Sequence, residues 1–198
     1  MSPTLAVVLE YSAVVLNIVF TILIGRGIRS GWLFGFVAAV IGVLLYAVQD
    51  AWLMAALNLF YAVMGLYGWW SWGTEGGTER IIRAGVPQHA MLLLVGLAGT
   101  WGLVQLMEGL HQPGDLLGME AFIASFAMVA TWMMSRKVLE NWFYWMVGDV
   151  VAVVYNHLIG YHGYALLNVI YIILAVVGFI RWRKQMGLAT EQVELGKP

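Results

Sequence analysis

Seven long apolar stretches, separated by short polar breaks, run through the 198-residue chain. A membrane-spanning helix needs about 20 mostly apolar residues, and the chain supplies such runs repeatedly. The pattern predicts helices over Leu5–Gly25, Trp32–Val48, Ala51–Trp72, His89–Met107, Leu116–Met134, Leu139–Leu158 and Tyr164–Trp182. The expected fold class is therefore all-α, a polytopic membrane protein with seven transmembrane helices.

Composition strengthens that reading. Hydrophobic residues make up 62% of the chain and charged residues 11%, with a mean hydropathy of +0.82. Soluble domains use only about 45–50% apolar residues, so a soluble core of this size has no need of so many. The opening Met1-Ser2-Pro3-Thr4 lacks the basic stretch of a signal peptide, and the first span is expected to be retained. With no cysteine, disulfides and thiolate metal sites are excluded. The net charge of −1 carries no nucleic-acid footprint.

Positive charges of short loops stay on the cytoplasmic side. Arg26 and Arg29 follow the first helix, Arg80 and Arg83 the third, Arg136 and Lys137 the fifth, and Arg181, Arg183, Lys184 and Lys197 the seventh. These are all 10 Lys and Arg of the chain, and they fall on one side of a seven-span topology. The N-terminus is expected outside and the C-terminus, with Glu191 and Glu194, in the cytoplasm.

The chain also repeats itself. An offset of 110 positions pairs Trp32 with Trp142, Asn58 with Asn168, Tyr61 with Tyr171, Gly68 with Gly178 and Trp72 with Trp182, without a gap. Glu10 and Glu120, Thr21 and Thr131, and Arg26 and Arg136 obey the same offset. Helices one to three thus match helices five to seven, with helix four left as a linker. The predicted organisation is a first repeat over 1–73, a linker helix with flanking loops over 74–114, a second repeat over 115–183 and a tail over 184–198. Three helices plus a linker make the two repeats parallel, a transporter device in which substrate is held near the midplane.

Candidate chemistry lies on three helical faces. On helix six Trp142, Trp145, Asp149 and Asn156 follow steps of 3, 7 and 14 and share one face. A carboxylate as deep as Asp149 costs about 2.5–3.5 kcal/mol on insertion scales, so it needs a partner or a polar cavity. An anion flanked by indole faces suits a flat organic cation. On helix three Asn58, Tyr61 and Trp72 share a face with Trp69 beside it, and helix seven repeats the face with Asn168, Tyr171 and Trp182. Trp72 and Trp182, at helix ends, read as an aromatic belt at the headgroup level. Glu10 and Glu120 lie near the outer ends and read as gating or structural. His89, His111, His157 and His162 all fall near span ends; His157 and His162 are five apart, which is not a same-face helical pair, so no metal site is expected. The sequence has no GxxxxGK[ST] phosphate loop and no GxSxG nucleophile elbow, which argues against ATP-driven transport and against an intramembrane hydrolase. No cofactor is expected.

At Tyr67-Gly68-Trp69-Trp70-Ser71-Trp72, and at Glu140-Asn141-Trp142-Phe143-Tyr144-Trp145 followed by Asp149, the chain resembles the PnuC family of bacterial vitamin transporters. The resemblance covers the whole chain. It implies a fold similar to full-length SWEET transporters, a homotrimer in the inner membrane, and facilitated uptake of nicotinamide riboside with trapping by a cytosolic kinase. Relatives of the same architecture carry thiamine, and riboflavin is a further vitamin of this group. Nicotinamide riboside carriers often show Gln-x-x-aromatic and then Asn or Ser before the Gly-Trp pair of helix three. Here Asn58 and Gly65 stand at those positions, which shortens one polar side chain and removes another and keeps thiamine as an alternative. A different class, a non-transporting membrane adaptor or sensor, would bind no small cation and would co-purify with another subunit.

Overall fold

A computed structural model describes residues 2–49, 52–73, 80–110 and 116–195. They form seven helices, α1 (Pro3–Gly25), α2 (Gly31–Val48), α3 (Trp52–Ser71), α4 (Val86–Gly109), α5 (Leu117–Ser135), α6 (Asn141–Leu158) and α7 (His162–Leu195). Among the described residues the β-structure is one isolated bridge between Ile82 and Val138. The chain is an all-α membrane protein. Helices α1, α2, α4, α5 and α7 are each long and apolar enough to cross a bilayer. With 20 and 18 residues, α3 and α6 reach about 27–30 Å, the thickness of the hydrocarbon layer. Along α6 the mean hydropathy is lowered by Asn141, Asp149, Asn156 and His157.

Two helix limits depart from the hydropathy pattern by three residues or more. The start of α4 lies at Val86 because Pro87 suits the first turn and Gln88 Oε1 accepts the Gly85 N–H at 2.8 Å. At the other end of the chain, α7 does not stop at Trp182 but continues to Leu195. The apolar run ends near Leu188, whereas Lys184, Gln185, Met186, Leu188, Ala189, Glu191 and Glu194 are good helix formers. Loss of hydropathy ends a membrane span without ending a helix. The predicted positions Ala51, His111 and Lys197 lie outside the described residues.

The chain forms two compact units, residues 1–80 and 81–198. In the first, α2 packs against both α1 and α3; in the second, α4 packs on α5, α5 on α6 and α6 on α7. The same centre-helix arrangement is thus built twice, around α2 and around α6. The linker helix α4 groups with the second triplet. Covered on both sides, α5 buries Ala121, Ala124, Phe126, Ala130 and Met133, and the Ser125 hydroxyl donates to the Gly96 carbonyl at 2.7 Å. By contrast α1, with one partner in its unit, exposes Val7, Val8, Tyr11 and Val15, an apolar face suited to lipid.

Each unit is held at its centre by a tryptophan seated on a glycine. A Cβ at Gly68 of α3 would lie 2.3 Å from Trp32 Cδ2, and a Cβ at Gly178 of α7 would lie 2.6 Å from Trp142 Cζ2. Trp32 then meets Trp72 edge-on at 5.7 Å between centroids, and Trp142 meets Trp182 edge-on at 5.4 Å. Trp72 and Trp182 are only 3% and 1% exposed, so they do not form the headgroup belt their helix-end positions suggest. They close the indole pair instead, because the neighbouring glycine leaves room for the first ring.

If these contacts set the helix spacing, Gly68→Ala and Gly178→Ala should each destabilise the protein by about 1–3 kcal/mol through overpacking. The measurement is the melting temperature in detergent. Gly102→Ala, where a Cβ meets nothing within 4 Å, is the control and should leave it unchanged. Equal melting of all three variants and the parent would remove the contact from this role.

Candidate functional site

The orientation of α6 is set where it begins. Glu140, just before the helix, accepts from Arg83 Nε at 2.8 Å through one carboxylate oxygen and from the Ala84 N–H at 3.0 Å through the other. Beside it the Ile82 N–H donates to the Lys137 carbonyl at 3.1 Å and the Leu139 N–H to the Ile82 carbonyl at 2.8 Å. Lys137 takes φ +52°, a left-handed step that costs a non-glycine residue energy, where the first repeat has Gly27 at φ +74°. Burial pushes the Glu140 carboxyl up, but the bonds from Arg83 and Ala84 win and hold it below the ordinary carboxylate range. In the first repeat Ser30 occupies the matching position. There Arg29 ties the loop instead, donating to the Trp69 carbonyl at 2.6 Å with its guanidinium 3.9 Å over the Trp69 ring.

Halfway along α6 is Asp149, 8% exposed. Among the described residues its carboxyl makes no hydrogen bond or ion pair, and Tyr171 of α7 lies within electrostatic reach. One turn earlier the buried indole N–H of Trp145 has no acceptor among the described residues. The Trp145 ring packs on the cluster of Leu92, Phe126 and Tyr144, which fixes its place. A donor without an acceptor and a carboxyl without a partner therefore sit one turn apart on one face of α6. Burying polar groups in this state costs free energy that a polar cation with both a donor and an acceptor could recover. Trp142, one turn earlier still, has the same unpartnered N–H, but its ring is only 1% exposed and is committed to Gly178 and Trp182.

The amides turn onto their own helices. Asn58, Asn156 and Asn168 donate to the carbonyls of Met54, Ala152 and Tyr164 at 2.8–2.9 Å, which leaves each amide its carbonyl oxygen and one N–H for other contacts. Asn58 also fills the space beside Gly42, where a Cβ would come within 2.2 Å of its Oδ1. In α3, Tyr61 rests against Phe60 at 5.9 Å between centroids. Glu120 accepts from the Tyr155 hydroxyl, and Glu10 lies within electrostatic reach of Tyr46. Asn58 and Tyr61 belong to the first unit, and the other binding candidates belong to the second.

Several pairings were not evident from spacing. Tyr155, the partner of Glu120, is one position out of register with Tyr46 under the repeat offset, which hides the shared design. His89 stacks on Tyr144 at 5.9 Å with Nδ1 3.0 Å from its hydroxyl, and Arg83 finds Glu140 across 57 residues. Only the lone acidic residue before α6, in a loop otherwise basic, hints at the last of these.

The family described as nicotinamide mononucleotide transporters matches residues 7–184. A nicotinamide riboside transporter of Escherichia coli (strain K12) is 22% identical over 182 residues, covering 77% of this chain and 75% of its own. A riboflavin/roseoflavin transporter of Streptomyces davaonensis is 27% identical over 124 residues, covering 60% of this chain and 58% of its own. The crystal structure of a vitamin B3 transporter superposes with a TM-score of 0.72 at 21% identity, over 90% of this chain and 82% of that one. That likeness shows the same fold.

The loop before α6 yields a pH test. The Glu140 carboxyl titrates lower in the folded protein than in the unfolded chain, so its contribution is present above the ordinary carboxylate range of about 4.3 and is lost as pH falls through the depressed folded value. Glu140→Gln should lower the melting temperature at neutral pH, and the gap to the parent should close on acidification. A gap that does not change with pH would show that the charge on Glu140 is not what holds the loop.

Proposed function

The chain belongs to the nicotinamide mononucleotide transporter family, and from that membership we propose that it carries a small cationic vitamin or vitamin precursor by facilitated diffusion, with nicotinamide riboside as its leading substrate. It is a membrane transporter and not an enzyme. The observation that carries the reading is Asp149, a buried carboxyl at the middle of a membrane helix with no partner among the described residues, one turn from an indole N–H without an acceptor. Both halves of nicotinamide riboside find a complement there. Its pyridinium ring brings the positive charge that the carboxylate lacks, and its polar groups can accept from Trp145 and bond Tyr171.

In this reading Trp145, Asp149 and Tyr171 contact the ligand, Asn156 and Asn168 offer acceptors on the same two helices, and Asn58 and Tyr61 are separate candidates within the first unit. Trp142 is a positioning residue that seats α6 on α7. The protein resides in the bacterial inner membrane with its N-terminus outside and its basic loops and C-terminus in the cytoplasm, which the one-sided distribution of Lys and Arg supports. Trapping by a cytosolic kinase and assembly as a homotrimer belong to the same proposal. Thiamine, another flat cation, meets the same groups, and the riboflavin/roseoflavin relative brings a neutral vitamin into consideration.

Asp149→Asn separates these substrates, because it keeps shape and an acceptor while removing the charge. For nicotinamide riboside or thiamine the affinity of the detergent-purified protein should fall by about 1–3 kcal/mol, with the melting temperature held or raised. Intact affinity for both cations would sink the carboxylate's role, and riboflavin binding indifferent to the change would move the substrate to a neutral vitamin. No binding of any of the three, with another subunit co-purifying, would favour an adaptor.

The two tryptophans should part in the same assay. Trp145→Ala removes ring contact and donor, and should weaken binding of the cation by about 1–2 kcal/mol while the protein stays folded. Trp142→Ala empties the seat on Gly178 and should cost about 3–5 kcal/mol of stability. Affinity lost in a stable Trp142→Ala protein, and kept in Trp145→Ala, would exchange the two roles.

A further inference from the structure

The connection between α6 and α7 is short and closed by its own backbone. Gly160 takes φ +81°, its N–H donates to the His157 carbonyl at 3.1 Å, and the Tyr161 N–H donates to the Asn156 carbonyl at 2.7 Å. These two bonds form a Schellman cap, whose left-handed residue is cheap only for glycine. The next helix begins at once, with the Ala165 N–H donating to the Tyr161 carbonyl at 3.0 Å.

That turn brings together two side chains that no single helix face could pair. The rings of His157, in the last turn of α6, and His162, at the first position of α7, have centroids 5.3 Å apart and planes inclined at 48°. Both are exposed. Two imidazoles bound to one tetrahedral ion at about 2.0–2.1 Å place their ring centroids about 5 Å apart, a spacing that the observed 5.3 Å matches. Imidazole nitrogen is the donor preferred by zinc, nickel and copper. The carbonyl end of α6 adds partial negative charge, and residues 141–180 contain no Lys or Arg to oppose a cation.

We propose that His157 and His162 together bind one borderline divalent cation, Zn2+, Ni2+ or Cu2+, which ties the end of α6 to the start of α7. Among the described residues there is no group of three or more His, Cys, Asp or Glu able to hold a metal. Two protein ligands leave the remaining positions to water, so the ion exchanges readily and is not a structural metal of the closed, four-ligand kind. Because the backbone cap already fixes the positions from which the two side chains project, binding has only the two imidazole rotamers to order. The ion stiffens the junction between the helix that carries Asp149 and the helix that carries Tyr171.

The test is a calorimetric titration of the full-length protein in detergent with Zn2+, after removal of any affinity tag, with melting temperature read on the same preparation. The expected result is one ion per chain and a melting temperature that rises with Zn2+. His157→Ala and His162→Ala should each weaken binding at least about tenfold and abolish the rise, and His157→Gln, which keeps a polar side chain at the exposed position, should do the same. His89→Ala, at the start of α4, should bind Zn2+ as the parent does. No saturable binding, or binding that survives loss of either His157 or His162, would overturn the site. The titration contains no vitamin, so its outcome is independent of the transport reading.

Discussion

An indole ring lying directly on a glycine backbone is the contact on which the rest of this structure depends. Helices in lipid gain little from burying apolar surface against one another, so close van der Waals packing has to hold them. Trp32 on Gly68 and Trp142 on Gly178 supply it, and Trp72 and Trp182 close over the rings edge-on. Since Trp142 is committed to α7, the residues three and seven positions later on the same face are set as well. Trp145 and Asp149 inherit their direction from a packing contact made one and two turns away.

The two repeats share this scaffold but not its chemistry. At the positions that match Trp145, Asp149 and Glu140, the first repeat has Gly35, Ala39 and Ser30. Its loop is held by Arg29 over Trp69, whereas the loop of the second is held by Glu140 between Arg83 and Ala84. The second unit also carries α4, which covers α5 and completes the cluster on which Trp145 rests. The unit that bears the buried carboxyl is thus the one with more helices packed around it. A charge in lipid needs a rigid surround, because a loosely held carboxylate would relax toward water and lose its hold on a ligand.

Most other polar side chains within the helices are quietly satisfied. The hydroxyls of Ser12, Thr21, Thr100 and Thr131 donate to the carbonyl four residues back, as do the amides of Asn58, Asn156 and Asn168. With no water in the hydrocarbon layer, a side chain that can bond its own backbone does so. An indole N–H and a carboxylate have no such local outlet, since neither the indole nor an anion can reach and donate to a carbonyl of its own turn in this way. Trp145 and Asp149 are conspicuous for that reason, and a ligand is what would complete them.

Local chemistry was legible in the sequence. Hydropathy marked the seven helices, because a bilayer demands about 20 apolar residues per crossing whatever the neighbours do. The repeat emerged from spacing alone, and the depth of Asp149 followed from counting along one helix. What the tertiary structure decided was which faces meet. That Trp72 and Trp182 are buried and not belted at the headgroups depends on a glycine in the same helix facing a ring from another. The helical tail of α7 was hidden because hydropathy reports solvent and not conformation. The meeting of His157 with His162, and of Glu140 with Arg83, was set by backbone turns at Gly160 and Lys137, where a positive φ reverses the chain and cancels the helical spacing that sequence periodicity can read.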